Sequence, residues 1–225
     1  EIVYHRKEGH IGGAYSSIDI MVILFDVAMN NNDKFILSKG HSCVPYFLLL
    51  KDKGYNPDIS GHPSRDPKNG IECTTGSLGH GLPIGLGMAL ARKVQNKPGR
   101  IYVLMSDGEC QEGTTWESAL LGGRYRLDNL VVIVDYNNLQ TLGRIEDILP
   151  IGGLEGAFVG SNWNVFKIDG HCLPEISGAL QYKSDKPMLV IAKTIKGKGV
   201  SFMEDKSEWH TKIPDENQYN QALKE

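Results

Sequence analysis

The chain has 225 residues, enough for one large domain or two small ones. Hydrophobic residues make up 40 % and charged residues 23 %, which excludes disorder as the dominant state and allows a sizeable core. With 24 Lys plus Arg against 27 Asp plus Glu, the net charge of −3 argues against nucleic acid or an anionic membrane as a partner. Ser17–Met29 reads as the first helix, with Ser16 and Asp19 spaced as a capping box. Its apolar run Met21–Phe25 falls far short of the roughly 20 residues that span a bilayer, so it reads as a buried helix segment. A strand at Lys34–Leu37 and helices at Val44–Lys53 and Leu82–Val94 follow. Then come a strand at Ile101–Met105, a helix at Thr115–Leu127 and a strand at Leu130–Asp135. A strand at Val165–Ile168, a helix at Pro174–Tyr182 and a strand at Met188–Thr194 complete the series.

This alternation predicts an α/β fold, a doubly wound and mostly parallel sheet with helices on both faces. Leu130–Asp135 is almost wholly apolar and should be central, covered on both sides. Five strands and their helices use the whole chain and leave no room for a second α/β unit. The cysteines Cys43, Cys73, Cys110 and Cys172 form no CxxC pair; free thiols in a reducing compartment fit better than disulfides or zinc, which points to the cytoplasm.

The strongest local signal for chemistry is Ile101–Glu112, where a hydrophobic strand runs directly into Ser106-Asp107-Gly108. Ligands of open parallel sheets bind beyond the carboxyl ends of strands, and a glycine there lets backbone N–H groups approach a phosphate. Asp-Gly is also a common turn pair. The next strand ends in Asp135-Tyr136-Asn137-Asn138-Leu139, one turn, helix, loop and strand later, so adjacent parallel strands would bring Asp107 and Asn137 to the same edge. A carboxylate, an amide oxygen and a neighbouring carbonyl make part of an octahedron for magnesium, which diphosphate oxygens and water would complete.

Asp107-Gly108 followed at this spacing by Asn137-Asn138 resembles the thiamin-diphosphate fingerprint. Gly9-His10-Ile11-Gly12-Gly13, Ser38-Lys39-Gly40-His41-Ser42, Ser60-Gly61-His62-Pro63 and Thr74–Gly81 precede it, while Lys193–Gly199 and Trp209-His210 follow it. Together these segments resemble the N-terminal, diphosphate-binding half of transketolases over essentially the whole chain. The resemblance implies thiamin diphosphate with Mg2+, or Ca2+ or Mn2+, held by Asp107, Asn137 and the carbonyl of Leu139. It implies cofactor contacts from His41, Gly76, Ser77, Leu78, Gly108 and His210, and substrate-side roles for His10, His62 and His210. Imidazoles suit that work, since they bind sugar hydroxyls and relay protons near pH 7. Glu112 and Glu117 match carboxylates near the cofactor at a subunit interface, and equally fit favourable charges at a helix N-terminus. Lys193, Lys196 and Lys198 fit either anion steering or a solvated surface. His5 and His171 read as structural.

Three residues depart from the family pattern: Ser106 for glycine, Ile11 for proline and His80 for glutamine. The Met29–Lys34 connection is also short. In this family a glutamate from a separate pyrimidine-binding domain activates the cofactor. The resemblance therefore implies one half of a split transketolase acting on sugar phosphates, with a C-terminal partner subunit, most simply as a two-plus-two heterotetramer. A deoxyxylulose-phosphate-synthase-like protein, the α subunit of a 2-oxoacid dehydrogenase and a non-catalytic chain of the same fold are the alternatives.

Overall fold

A computed structural model describes residues 1–225. Five parallel strands form the main sheet: β1 (Lys34–Leu37), β2 (Ile101–Ser106), β3 (Leu130–Tyr136), β6 (Asn164–Asp169) and β7 (Met188–Lys193), in the order β1-β2-β3-β7-β6. A short antiparallel hairpin, β4 (Leu139–Gln140) and β5 (Gly143–Arg144), follows β3. Each predicted strand is present within two residues, and β3 is central. Its residues Leu130 to Asp135 are at most 1 % exposed, as the unbroken apolar run requires of a strand covered on both faces.

Alternate residues of the strands feed two cores. On one face, α2 (Ile11–Ile23), α3 (Val44–Asp52) and α8 (Leu173–Gln181) pack Ile20, Met21, Tyr46, Phe47, Ile176 and Leu180 over Phe35, Leu104, Val131 and Ile133. On the other, α4 (Gly81–Val94), α5 (Gly113–Arg124) and α7 (Leu154–Gly160) pack Leu82, Leu86, Ala119 and Phe158 over Ile101, Val103, Val132 and Val134. Short helices α1 (Ile2–Arg6), α6 (Ile145–Ile148) and α9 (Glu216–Ala222) complete the chain. The apolar stretch Ile11–Ala28 is a core helix: Ile20, Met21 and Leu24 are fully buried.

Two expectations fail at α2. The helix begins at Ile11, and Ser16 is not a cap: it lies inside the helix and donates to the Gly13 carbonyl at 3.0 Å and to Asp135 at 2.5 Å. By propensity Gly12 and Gly13 oppose a helix, yet this one needs them. A side chain at Gly12 would meet the Trp209 carbonyl at 2.7 Å, and one at Gly13 the Ser42 hydroxyl at 2.6 Å. Close packing thus outweighs the roughly 1 kcal/mol that glycine costs a helix. The short Met29–Lys34 connection is a closed turn, in which Asp33 accepts from the Asn30 backbone and side chain at 2.9 and 2.8 Å.

The strand order positions the site. After β3 the chain skips one place to β6 and then returns, so β7 lies between them. The segment leaving β3 enters the hairpin and the α7 side. The segment leaving β7 folds over α2, where Gly197 N–H donates to the Gly12 carbonyl at 3.0 Å. A crevice opens where neighbouring strands send their loops apart, the usual ligand site of such sheets.

Candidate active site

Register brings Ser106 opposite Asp135, so the residues following β2 and β3 leave the sheet at one edge. Asp107 is 1 % exposed; one carboxylate oxygen accepts from Gly108 N–H at 2.8 Å and the other from Asn138 N–H at 2.5 Å. Burial and the nearby charge of Asp135 push its carboxyl up to about 6. The Asn137 amide oxygen accepts from Leu139 N–H at 3.0 Å, a local turn that fixes the side chain. Asn138 takes the left-handed conformation, φ 61°, which asparagine tolerates. The Leu139 carbonyl accepts from the Lys196 ammonium at 2.9 Å. No three His, Cys, Asp or Glu side chains gather into a metal cluster. The corner instead offers one carboxylate, one amide and one carbonyl oxygen, each with a spare lone pair, a donor set for a hard cation that keeps ligand or water oxygens. A cleft of about 1100 Å³ opens beside Asn137 and Asn138 along the edge of β7 and β6.

Four histidines converge next to this corner. The His10 ring, at the N-cap of α2, lies 5.2 Å from His41, 6.1 Å from His62 and 5.3 Å from His210, and His41 lies 5.2 Å from His210. Burial and the nearby Lys196 ammonium hold His210 down at about 3. Burial, with Lys39 next in effect, holds His41 well below its ordinary value, and burial lowers His10 as well. These three rings are neutral at pH 7, each with one donor and one acceptor nitrogen. His10 Nδ1, Ser42 Oγ and Thr75 Oγ1 are buried without a protein partner, the signature of polar atoms shaped for a ligand. Glycines permit the close approach of the surrounding loops: a Cβ on Gly40 would lie 2.6 Å from Thr75 Oγ1, and Gly76, at φ 140°, lies under the His62 ring. Ser77 is exposed, Leu78 half-buried, and Gly108 faces the Gln140 side chain.

The other sequence candidates divide. His171 is fixed between Asp19 at 2.8 Å and the Ile195 N–H at 2.9 Å, and exposed His5 packs against Tyr4 and Tyr219. Glu112 is the N-cap residue of α5 yet makes no side-chain cap, and both it and Glu117 are exposed. His80 is an exposed N-cap residue of α4. The solvated reading of the lysines fails for Lys196: it is 2 % exposed, bonded to Leu139 and to His210 Nδ1 at 3.1 Å, and burial draws its ammonium down to about 8.

Beneath the histidines lies a charged layer that sequence reasoning missed. Asp135 is fully buried and accepts from Lys39, Ser16, Thr194 and, at 3.4 Å, the Asn137 amide. Burial alone would raise its carboxyl, but the Lys39 ammonium and these hydrogen bonds outweigh it and hold it below the usual range. Lys39 is 1 % exposed and also donates to the Gly13 carbonyl at 2.9 Å. Glu109, fully buried, accepts from Ser38 and Gly79. A signal was present: an aspartate ending a strand predicted to be wholly buried needs a buried partner.

Residues 1–224 match the family described as transketolase, thiamine diphosphate binding domain. The chain is 37 % identical over its whole length to one of the subunits of the apulose-4-phosphate transketolase of Phocaeicola vulgatus, 88 % of which is covered. It is 34 % identical over 96 % of its length to 6-deoxy-6-sulfo-D-fructose transketolase subunit SqwG of a Clostridium species, with 88 % covered. Its fold matches the transketolase of Campylobacter jejuni with a TM-score of 0.87 at 30 % identity, over 99 % of this chain and 40 % of that one. The chain therefore belongs to the transketolase family, in which it corresponds to the thiamine diphosphate-binding domain.

Proposed function

We propose that this chain is the diphosphate-binding subunit of a two-chain transketolase that moves a two-carbon ketol unit from a ketose to an aldose. The observation that carries the reading is the oxygen corner of Asp107, Asn137 and Leu139 lying against four converging histidines. Asp107, Asn137 and the Leu139 carbonyl would hold Mg2+. His41, Gly76, Ser77, Leu78, Gly108 and His210 would hold the cofactor, with Lys196 as a buried cation toward its diphosphate. When bound, thiamine diphosphate supplies the carbanion-stabilising thiazolium.

The remaining steps belong to the protein. His10, His62 and His210 hydrogen-bond the donor hydroxyls, and the neutral rings of His10 and His210 take the proton released as the donor C–C bond breaks and return it to the acceptor oxygen. Lys196, bonded to His210 Nδ1 at 3.1 Å, keeps that ring oriented. Relatives named for apulose-4-phosphate and for 6-deoxy-6-sulfo-D-fructose point to a donor ketose with an anionic tail, which is a sugar phosphate in the simplest case. Those relatives are themselves named as subunits, which supports a partner chain, and we assign to it the pyrimidine-binding domain in a two-plus-two assembly. Calorimetric titration of thiamine diphosphate tests the site: binding in the presence of Mg2+ that is lost in EDTA is expected, and the absence of any metal-dependent binding refutes it.

A further inference from the structure

Glu109 is fully buried and has no cation within hydrogen-bond distance. A carboxylate in that position is costly unless donors surround it. One oxygen accepts from the Ser38 hydroxyl and from Gly79 N–H at 2.9 Å, and the other faces Ser106 N–H at 3.4 Å. Burial raises its carboxyl in spite of these bonds. The first turn of α4 leans on the same point, since a Cβ on Gly81 would collide with Ser38.

What the three donors have in common is their place in the chain. Ser38 lies three residues before His41. Gly79 directly follows the Gly76-Ser77-Leu78 turn, and Ser106 directly precedes Asp107. Each belongs to a different loop: the end of β1, the turn before α4 and the end of β2. Apart from Glu109, few side chains tie these loops together. Thr75 meets Gly40, and Thr114 donates to the Gly79 carbonyl at 2.6 Å.

From this geometry we infer that Glu109 is a positioning residue: it touches no cofactor or substrate and sets the spacing of the three loops that form the cofactor cradle. The inference rests on the thiamine diphosphate reading above. Glu109 lies in the loop after β2, so truncation to Ala removes the side-chain link that ties the β1 loop and the turn before α4 to it. Glu109→Gln keeps an acceptor for Ser38 and Gly79 but turns its NH2 toward the Ser106 N–H, so its effect is intermediate.

The test titrates thiamine diphosphate with Mg2+ into the full chain and its variants, and measures a melting temperature for each. Glu109→Ala is expected to weaken binding at least tenfold and Glu109→Gln less. Adding Ser38→Ala to Glu109→Ala should weaken it no further, because both remove one link. Leu180→Ala, in α8 on the opposite face of the sheet, serves as the control; it lowers the melting temperature and leaves affinity within twofold. Wild-type affinity in both Glu109 variants overturns the inference. So does loss of affinity that follows melting temperature in the control as it does in the variants. A wild-type chain that binds no thiamine diphosphate refutes the cofactor reading itself, and the inference with it.

Discussion

Asp135 and Asp107 are both buried at the ends of neighbouring strands, yet replacing each by Asn should move stability in opposite directions. Asp135→Asn removes the negative partner of Lys39, whose ammonium is 1 % exposed and keeps only the Gly13 carbonyl and a neutral amide. Breaking one side of a buried ion pair costs about 3–5 kcal/mol. At roughly 2–4 °C per kcal/mol for a chain of this size, the melting temperature should fall by about 6–20 °C. Asp107 is bonded to no cation, and burial and Asp135 raise its carboxyl from 3.8 to about 6 against the weaker pull of Lys39. Two units correspond to about 3 kcal/mol against the ionised form at most. Asn relieves that strain and leaves one of the Gly108 and Asn138 N–H groups unpaired, a loss of about 1–2 kcal/mol. The net change is between zero and about 2 kcal/mol of gain. Thermal unfolding at pH 7.5 in EDTA checks both variants. Equal losses in the two, or an Asp135→Asn variant that melts like wild type, refute the assigned electrostatics. Asp107→Asn should also abolish Mg2+-dependent cofactor binding, the opposition of stability and function expected where a site keeps an unfavourable charge for use.

Acid should destabilise the fold through the histidines. His10, His41 and His210 are held neutral with lowered proton affinity, whereas in the unfolded chain they protonate near 6.5, so stability is complete above pH 6.5 and declines as pH falls from there toward 3. Between pH 7 and 5 His210 contributes about 1–2 kcal/mol after allowance for partial exposure, and His41 and His10 act in the same direction; Asp107 opposes them by taking up its proton near 6. Melting temperature against pH should therefore fall on the acid side, and more steeply in Asp107→Asn; a flat profile contradicts the buried neutral cluster. His10→Ala and His210→Ala should each lower kcat/KM of the assembled enzyme by roughly tenfold to ten-thousandfold, with cofactor affinity falling less, and near-normal turnover would make both structural. Gly40→Ala places a methyl 2.6 Å from Thr75 Oγ1 and 2.9 Å from the Thr75 backbone carbon. It should force the Gly40 and Thr75 loops apart, and on the proposed reading this is seen as weakened thiamine diphosphate binding in calorimetry.

The sheet was legible because its strands carry their burial in their own composition: Leu130–Asp135 needs no context to be recognised as central. Asp107 and Asn137 were legible as a pair because parallel register converts sequence spacing into a shared edge. The start of α2 was not, since Gly12 and Gly13 are unfavourable to a helix by propensity. Only the approach of Trp209 and Ser42 explains them. Lys196 sits in a run of lysines and glycines with no local sign of burial; it is covered by contacts with Leu139 and His210, remote in sequence. The charged layer of Lys39, Asp135 and Glu109 escaped for the same reason, because each charge is compensated by a residue from another loop.

The most direct measurement mixes this chain, loaded with thiamine diphosphate and Mg2+, with a chain carrying the pyrimidine-binding domain, and follows transfer of a two-carbon unit from a ketose phosphate to an aldose acceptor. The account predicts no turnover by either chain alone and ketol transfer in the mixture. Robust transfer by residues 1–225 without a partner would contradict it.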